Sequence, residues 1–109
     1  MTDVSPNPGT ATFEEKVAVP GFSIITVCLN NLAGLKRTHK SLLTQTVQNF
    51  EWIVIDGASD DGTPEYLKST NAQWLSEPDI GLYDAMNKGI ERSTGEYLLF
   101  LNAGDTLAE

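Results

Sequence analysis

Cysteine is nearly missing from these 109 residues, with Cys28 the sole example. A lone thiol closes no disulfide within the chain and builds no thiolate zinc cluster, which excludes stapled secreted scaffolds and zinc ribbons and favours a reducing compartment. Basic residues are also scarce: 7 lysines and arginines face 15 acids, for a net charge of −8. Nucleic acid and anionic lipid present negative phosphates, so this balance argues against loose binding to either. No apolar run approaches the ~18 residues of a membrane span. The N-terminus, with Asp3, Glu14 and Glu15, lacks the layout of a signal peptide. A single soluble, cytoplasmic domain is expected, long enough to fold on its own core.

The charge that is present is unevenly placed. Residues 1–21 sum to −2, residues 22–50 to +3 with no acid, and residues 51–109 to −9. Any acidic cluster with a chemical role therefore lies after residue 50. Residues 1–20, with Pro6, Pro8 and Gly9 and few large apolar groups, read as a mobile leader.

From Phe22 onward, short apolar runs alternate with segments of helical period. Phe22–Cys28 reads as a buried parallel strand, followed by an N-cap at Asn30 or Asn31. Leu32, Leu35, Leu42 and Leu43 then form the apolar stripe of a helix ending near Gln45. His39 falls on that stripe and reads as a structural histidine. A second strand, Phe50–Ile55, precedes a short helix opened by Thr63-Pro64-Glu65. A weaker run, Ala72–Ser76, leads through a turn to a helix with Leu82, Ala85, Met86, Gly89 and Ile90 on its buried stripe, terminated by Gly95. The last strand is Tyr97–Leu101. Trp52, Trp74, Tyr83 and Tyr97 have the spacing of core residues, with the lining of a ligand site a second reading for Tyr83. The pattern predicts an α/β fold: a Rossmann-like parallel sheet of about four strands with helices on both faces.

In open parallel sheets, ligands bind beyond the carboxyl ends of the strands. The segments there are Thr26–Asn31, Asp56–Thr63, Glu77–Gly81 and Asn102–Asp105. Asp56 leaves its strand beside glycine and close to a helix start, a setting for a nucleotide base or ribose. Ser59, Asp60 and Asp61 read as turn and cap residues. Asp105, after the last strand, is a hard oxygen donor suited to Mg²⁺ or Mn²⁺ on a diphosphate.

The wording Ser23-Ile-Ile-Thr26, Phe50-Glu-Trp-Ile-Val-Ile-Asp56, Ser59-Asp-Asp-Gly-Thr63, Gly81-Leu-Tyr-Asp-Ala-Met-Asn-Lys-Gly-Ile90 and Phe100-Leu-Asn-Ala-Gly-Asp105 resembles the inverting family 2 glycosyltransferases of GT-A fold. It is similar in particular to the bacterial branch that builds exopolysaccharide, O-antigen and colanic-acid chains. The resemblance implies a nucleotide-sugar donor, with UDP as its nucleotide, and a saccharide or lipid-linked acceptor. It implies base contacts from Thr26, Val27 and Asn30 and an Asp56 pairing with the uracil edge. Asp79 would lie near base or ribose, with Asn87, Lys88 and Asn102 flanking the nucleotide, and Asp105 would meet a divalent metal.

Three positions depart from that family's commonest wording. Gly57 stands where many members have a second acid, Asn102-Ala-Gly-Asp105 leaves one carboxylate for the metal, and Met86 replaces an arginine, leaving Lys88 as the nearest cation. The resemblance also implies a general base and acceptor pocket further along than Glu109, so residues 21–109 read as a truncated donor-binding portion, inactive alone. A truncated sheet would expose the edge of Tyr97–Leu101 to self-association. The alternative reading is a noncatalytic nucleotide-binding or self-association module.

Overall fold

The computed structural model describes residues 20–108, so of the expected leader all but Pro20 lies outside the described residues. Seven elements alternate along the chain: β1 (Phe22–Cys28), α1 (Leu32–Leu43), β2 (Phe50–Asp56), α2 (Thr63–Leu67), β3 (Gln73–Ser76), α3 (Leu82–Glu91) and β4 (Tyr97–Phe100). All strand pairs are parallel, in the order β3-β2-β1-β4. The chain thus winds outward from β1 through β3 and then returns to the other side of β1. That reversal creates a switch point between β1 and β4, the place at which open α/β sheets bind ligands beyond the carboxyl ends of their strands.

Strands buried on both faces need apolar side chains at successive positions, and the central pair supplies them. Ile24, Cys28, Trp52 and Val54 point to one face, where Leu35 and Leu42 of α1 and Leu67 of α2 cover them. Ile25, Ile53 and Ile55 point to the other, under Ala85 of α3. The expected parallel sheet with helices on both faces is the one observed. Trp52 donates its indole N–H to Thr26 Oγ1 at 2.9 Å, so the one polar group on each of these buried side chains is paired within the sheet.

The ends of several elements differ from the sequence reading. Helix α1 stops at Leu43, with Asn31 as its N-cap accepting from the Gly34 N–H at 3.1 Å. Helix α3 ends at Glu91, before Gly95. Gly95 has another role: a Cβ there would stand 2.7 Å from backbone atoms of Phe22 and Ser23, so only glycine lets this turn lie against the start of β1. Tyr83 and Tyr97 are 78% and 63% exposed rather than in the core, because α3 buries only Ala85 and Gly89 and β4 is a sheet edge. His39 is structural, as expected, stacked on Trp52 with ring centroids 4.9 Å apart and hydrogen-bonded to the Tyr66 hydroxyl. Burial holds its pKa below the ordinary histidine value.

At the amino end of the sheet, Glu51 ties four segments together. Its carboxylate accepts from Ser23 Oγ, Gln73 Nε2 at 3.0 Å, and both the backbone N–H and hydroxyl of Thr94. Desolvation pushes its pKa up, but these hydrogen bonds outweigh that and hold it below the usual carboxylate value.

Helix α3 lies close against the sheet at Gly89, where a Cβ would stand 2.5 Å from Cγ2 of the fully buried Ile25. Alanine normally gains about 1 kcal/mol over glycine within a helix. Overpacking a branched, buried neighbour costs about 1–3 kcal/mol and should exceed that gain. Gly89→Ala is therefore expected to lower stability by about 1 kcal/mol in urea unfolding, and a stabilised variant would show that α3 can lift off the sheet freely.

Candidate functional site

Because every strand is parallel, all four carboxyl ends open onto one edge of the sheet. The loops leaving β1 and β2 are stitched together there by backbone and side chain. Gly57 N–H donates to Cys28 O at 3.0 Å, Asn30 N–H to Ser59 Oγ at 2.7 Å, and Asp60 N–H to Asn30 Oδ1 at 2.9 Å. The same loops contain the two non-glycine residues with left-handed backbone among the described residues, Asn30 at φ 50° and Ala58 at φ 69°. Asparagine tolerates that region, whereas alanine pays about 1 kcal/mol, and the cross-loop hydrogen bonds offset the strain.

Asp56 sits at the centre of this stitching with no exposed surface. The register sets it between Cys28 of β1 and Ser76 of β3. A buried carboxylate must be matched by donors. Here it accepts from the Ser59 N–H at 2.9 Å, the Ser59 hydroxyl, the Ser76 hydroxyl at 2.7 Å and Cys28 Sγ at 3.3 Å. Its oxygens are engaged within the chain, and no face of it meets the surface where a base would lie. Burial, and then the charge of Asp56, push the Cys28 thiol far above the ordinary cysteine range. It serves as a protonated donor and not as a nucleophile.

Asp61 caps two helices. Oδ2 accepts from the Leu32 N–H at the start of α1 (2.9 Å), and Oδ1 from the Thr63 hydroxyl and N–H. The hydrogen bond from the Thr63 hydroxyl is the main reason its pKa falls below the usual carboxylate value. Turn and cap duty accounts for Ser59 and Asp61, with the α1 cap a non-local addition that spacing alone did not reveal.

Beyond β3, the loop carrying Asp79 is gripped by α3. Lys88 Nζ pairs with Glu77 at 3.0 Å and Asp84 at 3.5 Å and donates to the Pro78 carbonyl at 3.1 Å. Asp84 accepts from the Ile80 N–H at 2.9 Å, and Asp79 Oδ1 from the Gly81 N–H at 3.3 Å. Hydrogen bonding to Glu77, followed by the nearby acids, raises the Lys88 pKa. Lys88 thus grips this loop, and Asn87 next to it is exposed.

Beyond β4, Asn102–Asp105 form a turn in which the Asn102 N–H donates to Asp105 Oδ2 at 3.1 Å. A polar stripe of α1 and its flanks holds this segment. Asn31 donates to Ala103 O, Thr38 Oγ1 donates to Asp105 O at 2.6 Å, Ser41 Oγ accepts from the Leu107 N–H, and Gln45 donates to Leu107 O. Gly104, at φ 103°, permits the turn. Arg37 Nη2 lies 3.6 Å from the position a Cβ on Gly104 would take, so a cation stands beside the Asp105 turn. Sequence reasoning missed both features because it followed the apolar stripe of α1 alone.

Asn30, Asp79, Asn102 and Asp105 therefore share the carboxyl edge, and Leu29 joins them, 60% exposed. Thr26 and Val27 lie further back. Thr26 is fully buried with its hydroxyl on Trp52, and the Val27 carbonyl accepts from the Ala103 N–H. Cavities of about 280 and 270 Å³, lined respectively by Phe50, Trp52 and Gln73 and by Phe22, Ile24 and Leu99, include the amino ends of the strands, away from this edge.

Among the described residues no three His, Cys, Asp or Glu side chains gather closely enough to hold a metal ion. Asp105 is exposed, with Oδ1 unpartnered among the described residues. That fits a hard cation of the kind held by one carboxylate together with substrate phosphate oxygens, and it does not fit an all-protein metal cage.

The two carboxylates should separate cleanly in stability. Asp56→Ala strands buried donors and is expected to cost about 3 kcal/mol in chemical denaturation. Asp105→Ala is expected to cost no more than about 1 kcal/mol. Equal losses would contradict the division into a buried hub and an open ligand.

Residues 23–109 match the family model described as Glycosyl transferase family 2. An uncharacterized glycosyltransferase of Mycobacterium tuberculosis is 46% identical over 92 residues, covering 81% of this chain and 35% of that protein. A PGL/p-HBAD biosynthesis glycosyltransferase of Mycobacterium bovis is 41% identical over 100 residues, covering 85% of this chain and 39% of that one. Among solved structures, S. aureus TarS 1–349 in complex with UDP-GlcNAc aligns with a TM-score of 0.72 at 24% identity, over 78% of this chain and 27% of that one. The mannosyltransferase PcManGT of Pyrobaculum calidifontis, in complex with GDP-Man and Mn²⁺, aligns with a TM-score of 0.75 at 22% identity, over 98% and 32% of the two chains. These likenesses match the Rossmann-like sheet to the GT-A glycosyltransferase fold. The chain spans about a third of the length of the curated relatives it matches. With the family model spanning nearly all of the described sheet, the chain belongs to glycosyl transferase family 2.

Proposed function

We propose that these residues bind the nucleotide-diphosphate-sugar donor of an inverting glycosyltransferase, one that extends a polysaccharide or a lipid-linked saccharide on the cytoplasmic side of the cell. The observation that carries this reading is the grouping of strand-end side chains at the switch point between β1 and β4. It brings Leu29, Asn30 and the Asp105 turn to one edge, with Arg37 beside that turn and Asp79 beyond β3, next to Gly57. The donor would lie across the strand ends with its diphosphate toward Asp105. Asp105 would hold a divalent cation, Mg²⁺ or Mn²⁺, jointly with the diphosphate oxygens, and a cation there neutralises charge on the leaving diphosphate. Arg37 adds a fixed positive charge on the same side. No described residue is assigned as the base that deprotonates the acceptor hydroxyl, so the proposal for these residues alone is donor binding without transfer.

Calorimetry on the 109-residue chain tests this. UDP is expected to bind at least tenfold more tightly with Mn²⁺ than with a chelator, and Asp105→Ala should remove that difference while leaving the fold intact. Metal-independent affinity unaffected by Asp105→Ala would overturn the assignment of Asp105.

One observation favours a second, noncatalytic reading as a self-association module. Strand β4 is a sheet edge, its sequence Tyr97-Leu-Leu-Phe100 contains no proline or charge to block pairing, and Leu98 and the neighbouring Phe22 are exposed. Sedimentation velocity should then show the weight-average mass rising with concentration, and Leu98→Lys should suppress the rise. A constant monomer mass for the unmodified chain would dismiss this reading.

A further inference from the structure

Asp56 faces inward, yet a nucleotide base at this edge still needs an acceptor to read it. At the end of β2, Gly57 leaves a notch. A Cβ on Gly57 would stand 3.0 Å from Asp79 Oδ2 and 3.4 Å from Leu29 Cδ1. The notch is therefore filled from a loop 22 positions further along the chain, by a carboxylate with an exposed leucine side chain at its other wall. Asp79 Oδ1 is held by the Gly81 N–H, whereas Oδ2 has no hydrogen-bond donor among the described residues. Gly81, at φ 122°, takes a backbone conformation that other residues rarely adopt, and the clamp by Lys88 and Asp84 fixes the loop from outside. The carboxylate is thus both oriented and partly unsatisfied.

We infer that Asp79, and not Asp56, is the specificity-determining acceptor of the donor site, pairing its free Oδ2 with the single imide N–H of a uracil ring packed against Leu29. This rests on the donor-binding reading above. One free oxygen matches one ring N–H. Cytosine presents a lone pair at the same ring position, which an anionic oxygen repels. Guanine presents two adjacent N–H donors that call for both carboxylate oxygens, and Oδ1 is already engaged. The expected order of preference is UDP, then GDP, then CDP.

The experiment measures UDP, GDP and CDP binding to the full 109-residue chain in the presence of Mg²⁺, for the unmodified protein, Asp79→Ala and Asp79→Asn. A charge-assisted hydrogen bond is worth about tenfold or more in affinity. Asp79→Ala is expected to weaken UDP about tenfold and to leave CDP nearly unchanged, so that the UDP to CDP ratio falls toward one. Asp79→Asn, whose carbonyl oxygen stays on the Gly81 N–H and whose amide N–H then faces the base, should weaken UDP at least as much as Asp79→Ala and gain for CDP by donating to the cytosine ring nitrogen. Equal weakening of all three nucleotides in both variants would mean that Asp79 only shapes the loop, and would overturn the inference while leaving donor binding in place. If the unmodified chain binds none of the three, the donor-binding reading itself falls, and this inference with it.

Discussion

A carboxylate without solvent exposure forces its surroundings to supply donors, and Asp56 imposes that demand at the end of the central strand pair. Three elements answer it: Cys28 from β1, Ser76 from β3, and Ser59 from the loop that follows β2 itself. Ser59 in turn accepts from the Asn30 N–H, so the loops after β1 and β2 hold one shape. Alternative arrangements would leave a charge buried and unpaired, at a cost of several kcal/mol. The left-handed residues Asn30 and Ala58 persist in that frame.

The open part of the edge is built on this frame by a different kind of contact. Helix α3 holds the Asp79 loop with Lys88 and Asp84, and α1 holds the Asp105 turn with Asn31, Thr38 and Ser41. Each helix therefore carries an apolar stripe for the sheet and polar groups for a loop. The half-buried Asp79 and the exposed Asp105 stand on opposite sides of β1 and β2, the arrangement a ligand spanning the strand ends would need. Family membership says what class of chemistry such a ligand undergoes in the relatives, and the site geometry says which side chains of this chain are free to meet it.

Much of the fold was legible because its signals are local. Apolar runs rich in β-branched residues marked β1 and β2, and Thr63-Pro64-Glu65 marked the start of α2. Less legible were features set by distant partners. Gly95 reads as a helix terminator by position, but its backbone lies against the start of β1. Tyr97 has strand spacing, and only the sheet order reveals that its strand is an edge. The site divided the same way. Asp105 could be placed by its position after β4, whereas the inward engagement of Asp56 depends on Ser76, twenty residues away, and the filling of the Gly57 notch by Asp79 depends on a loop no local pattern connects to β2.

The account turns on a division of labour among three strand-end carboxylates, with Asp56 closed inside the fold and Asp79 and Asp105 open to a ligand. Side-chain carboxyl ¹³C resonances report this directly when UDP and Mg²⁺ are titrated into the labelled chain. The account predicts that the Asp79 and Asp105 carboxyl signals shift with saturation while that of Asp56 stays in place. A shift at Asp56 with Asp79 and Asp105 unmoved would contradict it.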